Sequence, residues 1–321
     1  MKVALPALLV FLLAAPAWAQ WREEPRVPEA VRKLAMDGHE LVHSGKNEPA
    51  LAKFRQAWAG GSRSALLSYN AACAAARLGR GDEAFEWLQR VLESGWDDVA
   101  YLQKDEDLAS IRGDARFAEV VEVMKAAAAR ADAAIADKPL RDELIRRVAE
   151  DQQARKALID DGFKSEALKK RLAEVDARNL AWVKALVEVR GWPGRKLVGE
   201  KGSGAAFLLV QHADRDRELQ KRCLPLLEKA VKAGDAAPRF LAFLTDRVRL
   251  ADGKPQVYGT QFMSAANGAQ VPHPIEDAEH VDERRAAVGL PPIAEYARIL
   301  RRAYKPRPET PKADPPGGEN K

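Results

Sequence analysis

Two apolar helical stretches of this 321-residue chain run into titratable side chains. Residues 205–210 are apolar throughout and end in Gln211-His212-Ala213-Asp214; residues 240–244 repeat the arrangement and end in Thr245-Asp246-Arg247. Polar groups carried into a core must find partners, because an unpaired one costs about 1–3 kcal/mol. Gln256, Tyr258 and Gln261 follow from a strand-like segment, with Arg284 beyond. Together they supply an imidazole, a carboxylate, two guanidinium groups and a phenol, enough for general acid–base work or for clamping an anion. In the catalytic reading His212 is the base, Asp246 its acidic neighbour, and Arg247 and Tyr258 steady developing charge, while Gln211, Gln256, Gln261 and Arg284 hold the ligand. The competing reading is a satisfied buried network, with His212 and Gln211 bonded to backbone and Asp246 paired with Arg247 or Arg284.

Other motifs carry less. His39-Glu40-Leu41-Val42-His43 matches the zinc-protease pattern, in which two helix-borne imidazoles bind metal and the glutamate activates water. Its flanks are Asp37 and Gly45, a charge and a helix stop, and no third ligand is evident. His273 and His280 flank Glu276 and Asp277 at a spacing that fits no familiar ligand set. Gly199, Gly202 and Gly204 lack the lysine of a phosphate-binding loop, so Ser203 reads as the N-cap of the apolar helix. Asp151 and Arg155, one helical turn apart, read as a surface ion pair. Cys73 and Cys223 read as two separate buried thiols. Neither a metal nor a cofactor is expected.

The elements that carry these residues fall into two groups. In the first third Gly38, Leu41, Ala50, Phe54 and Ala57 recur 34 residues later as Ala72, Ala75, Ala84, Leu88 and Val91. A period of 34 with small residues early and a bulky apolar one late is the pattern of stacked helical hairpins. It resembles tetratricopeptide repeats, which implies a groove for a protein or peptide partner. Residues 102–117, of the form D-x-D-L-x-x-I-R-x-D-x-R-F, resemble the segment that caps such arrays. The second half reads as amphipathic helices over 140–158 and 168–190, a loop at 199–204, a buried helix at 205–210, helices near 216–233 and 238–250, and a small hairpin from 256–262 and 270–273 around Asn267-Gly268.

The ends have their own character. Residues 1–19 combine Lys2, an apolar run and Ala17-Trp18-Ala19, a signal peptide pattern, so the protein is expected to be exported to the periplasm or secreted. The apolar run is too short for a membrane span, and no cysteine follows to take a lipid anchor. A formal charge of +5 comes from 52 basic and 47 acidic residues that are interleaved, without the basic and aromatic stripe that nucleic acid binding uses. Residues 305–321 are rich in Pro, Gly and charge and read as a disordered tail.

The second half also resembles a family of bacterial proteins classed only as a domain of unknown function. The matching pieces are Glu150-Asp151-Gln152 with Arg155, Asp176 with Asn179, Gly191-Trp192-Pro193, Gln211-His212-Ala213-Asp214, Asp246-Arg247, 256–261, Pro274-Ile275-Glu276-Asp277 and Arg284-Arg285. The resemblance brings no activity with it. It implies that these polar residues belong together and adds Asp151 to the candidate catalytic set of His212, Asp246, Arg247 and Tyr258. The chain is therefore expected to be mainly α: a tetratricopeptide-like solenoid with its cap at 27–136, then a helical domain with a small β-hairpin at 138–304. Its leading expected role is recruitment of a polypeptide through the solenoid; the alternative is a hydrolase-like enzyme or a sensor of a small anionic ligand in the C-terminal part.

Overall fold

A computed structural model describes residues 27–265 and 270–303. The signal peptide pattern, the Asn267-Gly268 turn and the tail at 305–321 lie outside the described residues. The protein is mainly α-helical with a single two-stranded sheet among the described residues. None of its described helices is long and apolar enough to cross a membrane.

The N-terminal half is a stack of paired helices: α1 (Glu29–His43) with α2 (Asn47–Ala59), then α3 (Ala65–Arg77) with α4 (Gly81–Glu93). Side-chain caps mark the starts that follow: Ser64 accepts from the Leu67 amide ahead of α3, and Asp98 accepts from the Tyr101 amide ahead of α5 (Val99–Lys104). A 3₁₀ turn (Glu106–Ile111) and α6 (Ala115–Ala133) complete this half. Leu102, Leu108, Ile111 and Phe117 are all buried there, so the segment does cover the end of the stack. The 34-residue register has a packing cause. Gly38 lies against the Phe54 ring, and a Cβ there would sit 2.5 Å from Phe54 Cε1; Ala72 and Leu88, one period on, are fully buried. Gly38→Val is accordingly expected to destabilise the protein by about 1–3 kcal/mol in urea unfolding, through overpacking.

The C-terminal half begins with the long hairpin of α7 (Lys138–Asp160) and α8 (Glu166–Arg190), whose N-caps are Asp137 and Ser165. At its centre lies α9 (Arg195–Gln211), buried continuously from Gly202 to Gln211. Helices α10 (Arg217–Lys232) and α11 (Pro238–Ala251) pack beside it, and Phe207 stacks on Phe240 with ring centroids 4.4 Å apart. Strands β1 (Phe262–Ser264) and β2 (Gln270–Pro272) pair antiparallel, Met263 opposite Val271, and α12 (Val281–Ala287) and α13 (Ile293–Ala303) close the chain's described part. The halves touch: Arg298 of α13 pairs with Glu40 of α1 at 3.1 Å, and Lys201 of α9 with Asp97 at 3.6 Å.

Two local expectations need correcting. Residues 199–204 are not a loop: α9 runs through them with one kink at Gly199, where φ is +71° and ψ 175°. Only glycine adopts that conformation at little cost. Ser203 is thus inside the helix rather than at its N-cap, and the small residues serve close packing: a Cβ on Gly202 would sit 3.3 Å from Arg141 Cγ of α7. The hairpin is also shorter than its alternation suggests. Strand pairing covers only 262–264 and 270–272, while Gln256 makes an isolated bridge to Ile275 and 257–261 is an irregular loop.

Candidate functional site

The buried stripe of α7 is mixed. Leu144, Ala154 and Leu158 share it with Asp151 and Arg155, spaced so that all face α8 and α9. Asp151 and Arg155 are therefore an interior pair, 1% and 2% exposed, rather than a surface one. Arg155 Nε donates to Asp151 Oδ1 at 3.0 Å, and its Nη2 reaches Asp176 of α8. His212 is the C-cap of α9, where the helix end directs its ring back toward α7; Nδ1 lies 2.9 Å from Asp151 Oδ2.

The electrostatics of this dyad are set by its partners. Burial works against ionisation of Asp151, but the His212 ring and the Arg155 guanidinium prevail and hold its carboxyl at about 2. An ionised carboxylate can only accept, so His212 Nδ1 is the donor in this contact and Nε2 is the ring's other nitrogen. Asp176 goes the other way: burial raises it, despite Arg155. Because the folded value of Asp151 lies below its ordinary 3.8, the group contributes stability above about pH 4, and that contribution is lost as the pH falls toward about 2. At 1.36 kcal/mol per unit the contribution is about 2 kcal/mol. Urea midpoints measured from pH 6 to pH 2 should show this acid limb in the natural protein and a shallower one in Asp151→Asn.

His212 opens onto a cavity of about 620 Å³ between α7, α8, α11 and the loop that follows α9. Five cationic side chains line it, Arg155, Lys169, Arg215, Arg217 and Arg247, against the carboxylates of Asp176 and Asp214. Arg247 and Asp214 pair at 2.6 Å. Gln220 holds the end of α9 by donating to the Val210 and Gln211 carbonyls. Gln261 and His273 also line the cavity, with burial holding His273 below the ordinary imidazole range. Leucines 158, 172, 180 and 250 supply the apolar part of the lining. Among the described residues, no serine, threonine or cysteine lines the cavity.

The structure thus gathers His212, Asp151, Arg247 and Gln261 from the sequence-derived set and separates the rest. Asp246 is fully buried and accepts from the amides of Val257, Tyr258 and Thr260 and from Thr260 Oγ1, at 2.7–3.0 Å for the shortest contact of each. It is the anchor of the 257–261 loop and pairs with neither Arg247 nor Arg284. Tyr258 does not line the cavity; its backbone carbonyl accepts from Arg285, and burial followed by the Asp246 charge raises its phenol. Gln256 is also fully buried and cross-links the loop, donating to the Gln261 and His273 carbonyls and accepting from the Gln261 amide. Arg284 donates to the carbonyls of Val257, Glu276 and Asp277, away from the cavity. Gln211 is fully buried in α9 and leaves both amide atoms without a partner among the described residues. Its expected role as a ligand-binding group is not met at the cavity wall.

Arg155, Asp176 and His273 are the site residues that sequence reasoning placed elsewhere. The signal for the first was the shared stripe with Leu144 and Leu158. The zinc motif has a different fate: His39 Nδ1 lies 2.6 Å from Asn70 Nδ2, and the one group among the described residues with metal-ligand spacing is Cys73, Asp105 and Asp107. His280 pairs with Asp277 on the surface, apart from His273.

A family model described as "Family of unknown function (DUF6624)" matches residues 138–307, more than half of the chain. The chain belongs to that family. Every residue around the Asp151–His212 dyad lies within the DUF6624 match, so the cavity is a feature of the family region rather than of the N-terminal stack. Residues 44–132 are similar to a second model, described as "A/B hydrolase-like, N-terminal domain". Neither a curated protein nor a solved structure matches the chain.

Proposed function

We propose that the DUF6624 region is a hydrolase-like unit in which His212, oriented by Asp151, activates water against an ester of an anionic substrate. The observation that carries this reading is the 2.9 Å contact between His212 Nδ1 and a buried, ionised Asp151 at the wall of a cation-rich cavity. The described residues that line the cavity carry no hydroxyl or thiol, and in this reading the nucleophile is water. His212 Nε2 takes a proton from it as its oxygen bonds to the electrophilic centre; the bond to the ester oxygen breaks, and the imidazolium returns the proton to that leaving oxygen. Arg247 and Arg215 stand where negative charge is held. The one sheet among the described residues has only two strands, so the reading does not borrow the architecture of an α/β hydrolase.

The test is a screen of nitrophenyl esters bearing a carboxylate or phosphate, with neutral esters as controls. Turnover of anionic esters that disappears in His212→Asn supports the reading; turnover unaffected by that change removes it.

The paired helices of the first half favour a second, compatible role. Their hairpin stacking and 34-residue register support a tetratricopeptide-like groove that recruits a polypeptide, and the signal peptide pattern supports export. Capture experiments with the full chain and with surface variants of the α1–α4 stack test the first, and N-terminal sequencing of the protein from culture fractions tests the second.

A further inference from the structure

The lining of the cavity beside His212 combines two unlike kinds of group, which alternate along α7, α8 and α11. One is cationic, with Arg215 exposed and unpaired among the described residues at the mouth and Arg247 at 9% exposure deeper in. The other is apolar, formed by leucines from α7, α8 and α11. A small inorganic anion would use only the first, and a neutral apolar molecule only the second.

We propose that the site takes an amphiphilic anion: an oxyanion head group, phosphate or carboxylate, attached to an alkyl or aromatic body. This deepens the hydrolase reading and rests on it for the location, but it concerns binding and stands apart from whether His212 does chemistry. The head lies against the arginines, whose planar forks match phosphate and carboxylate oxygens. The body lies along Leu158, Leu172, Leu180 and Leu250, where each buried methylene contributes about 0.8 kcal/mol. The volume of about 620 Å³ suits a ligand of a few tens of atoms rather than a bare ion. Unpaired positive charge also draws the ligand in: Arg155 is paired with Asp151 and Asp176, Arg247 with Asp214 and Lys169 with Glu166, while Arg215 and Arg217, both exposed, have no carboxylate partner among the described residues and set a positive potential at the opening.

The experiment is calorimetric titration of the full chain with octyl phosphate, octanoate, inorganic phosphate and 1-octanol. Octyl phosphate or octanoate should bind at least tenfold more tightly than inorganic phosphate and than octanol. Arg215→Gln, an exposed change with no folding risk, should weaken the anionic amphiphile severalfold and leave octanol unchanged, and the neutral change Leu250→Asn should weaken it while sparing inorganic phosphate. His212→Asn should retain the binding, so loss of hydrolysis with binding intact separates the two readings. Inorganic phosphate binding as tightly as octyl phosphate, octanol binding as tightly, or no binding by any of the four overturns the proposal.

Discussion

His212→Asn should lower turnover of an anionic ester by about 10²–10⁴-fold while changing stability by about 1 kcal/mol or less. The asparagine amide nitrogen falls near the position of Nδ1 and can still donate to Asp151, so the buried carboxylate keeps its partner. What disappears is Nε2, the nitrogen that takes the proton in the proposed reaction. Asp151→Asn tests the same dyad from behind. Its side chain can donate as well as accept, so it no longer fixes the proton on Nδ1, and activity should fall even though the shape of the site is kept. Its stability should fall too, by about 3–5 kcal/mol, because Arg155 loses one of its two carboxylates in the interior. Kinetics and urea unfolding on the two variants read these effects separately. Equal loss of stability in both, with no change in turnover, would make the dyad purely structural.

Asp246→Asn should rank with Asp151→Asn among the most destabilising exchanges in the C-terminal half, by about 3 kcal/mol or more. The carboxylate is fully buried and accepts from three amides and one hydroxyl. An amide in its place presents an N–H to donors that need an acceptor, and each hydrogen bond to a charged group is worth about 1.5–3 kcal/mol. Thr260→Val removes the hydroxyl alone and should cost about 1 kcal/mol or more, since the three amides remain satisfied. Because Gln261 follows directly on this loop and lines the cavity, Asp246→Asn should also lower affinity for octyl phosphate. Denaturant midpoints for the pair of variants decide the matter; a change of under 1 kcal/mol for Asp246→Asn would mean that the loop holds itself.

Much of the helical frame is legible in the sequence. The 34-residue register and the apolar run that becomes the buried part of α9 follow from local rules. That His212 must be held by a partner is legible too, since an imidazole ending an apolar run cannot be left unpaired. Its partner is harder to see. An acid and a base four apart usually sit in solvent, and only the shared stripe with Leu144 and Leu158 places Asp151 and Arg155 indoors. Asp246 and Arg247 mislead for a geometric reason: neighbours on a helix point about 100° apart, so one faces the 257–261 loop while the other faces the cavity. The alternating residues from Gln256 to Phe262 look like a strand, but a buried carboxylate that claims the amides of Val257, Tyr258 and Thr260 takes those three out of any ladder.

The account turns on where the His212 ring is held and what it faces. Nitrogen-detected spectra of the histidines, recorded with and without octyl phosphate, test this most directly. The account predicts a protonated His212 Nδ1 with a strongly downfield, solvent-protected hydrogen that vanishes in Asp151→Asn, and an Nε2 signal that shifts on adding octyl phosphate. An unprotonated Nδ1, or an Nε2 signal indifferent to the ligand, would contradict it.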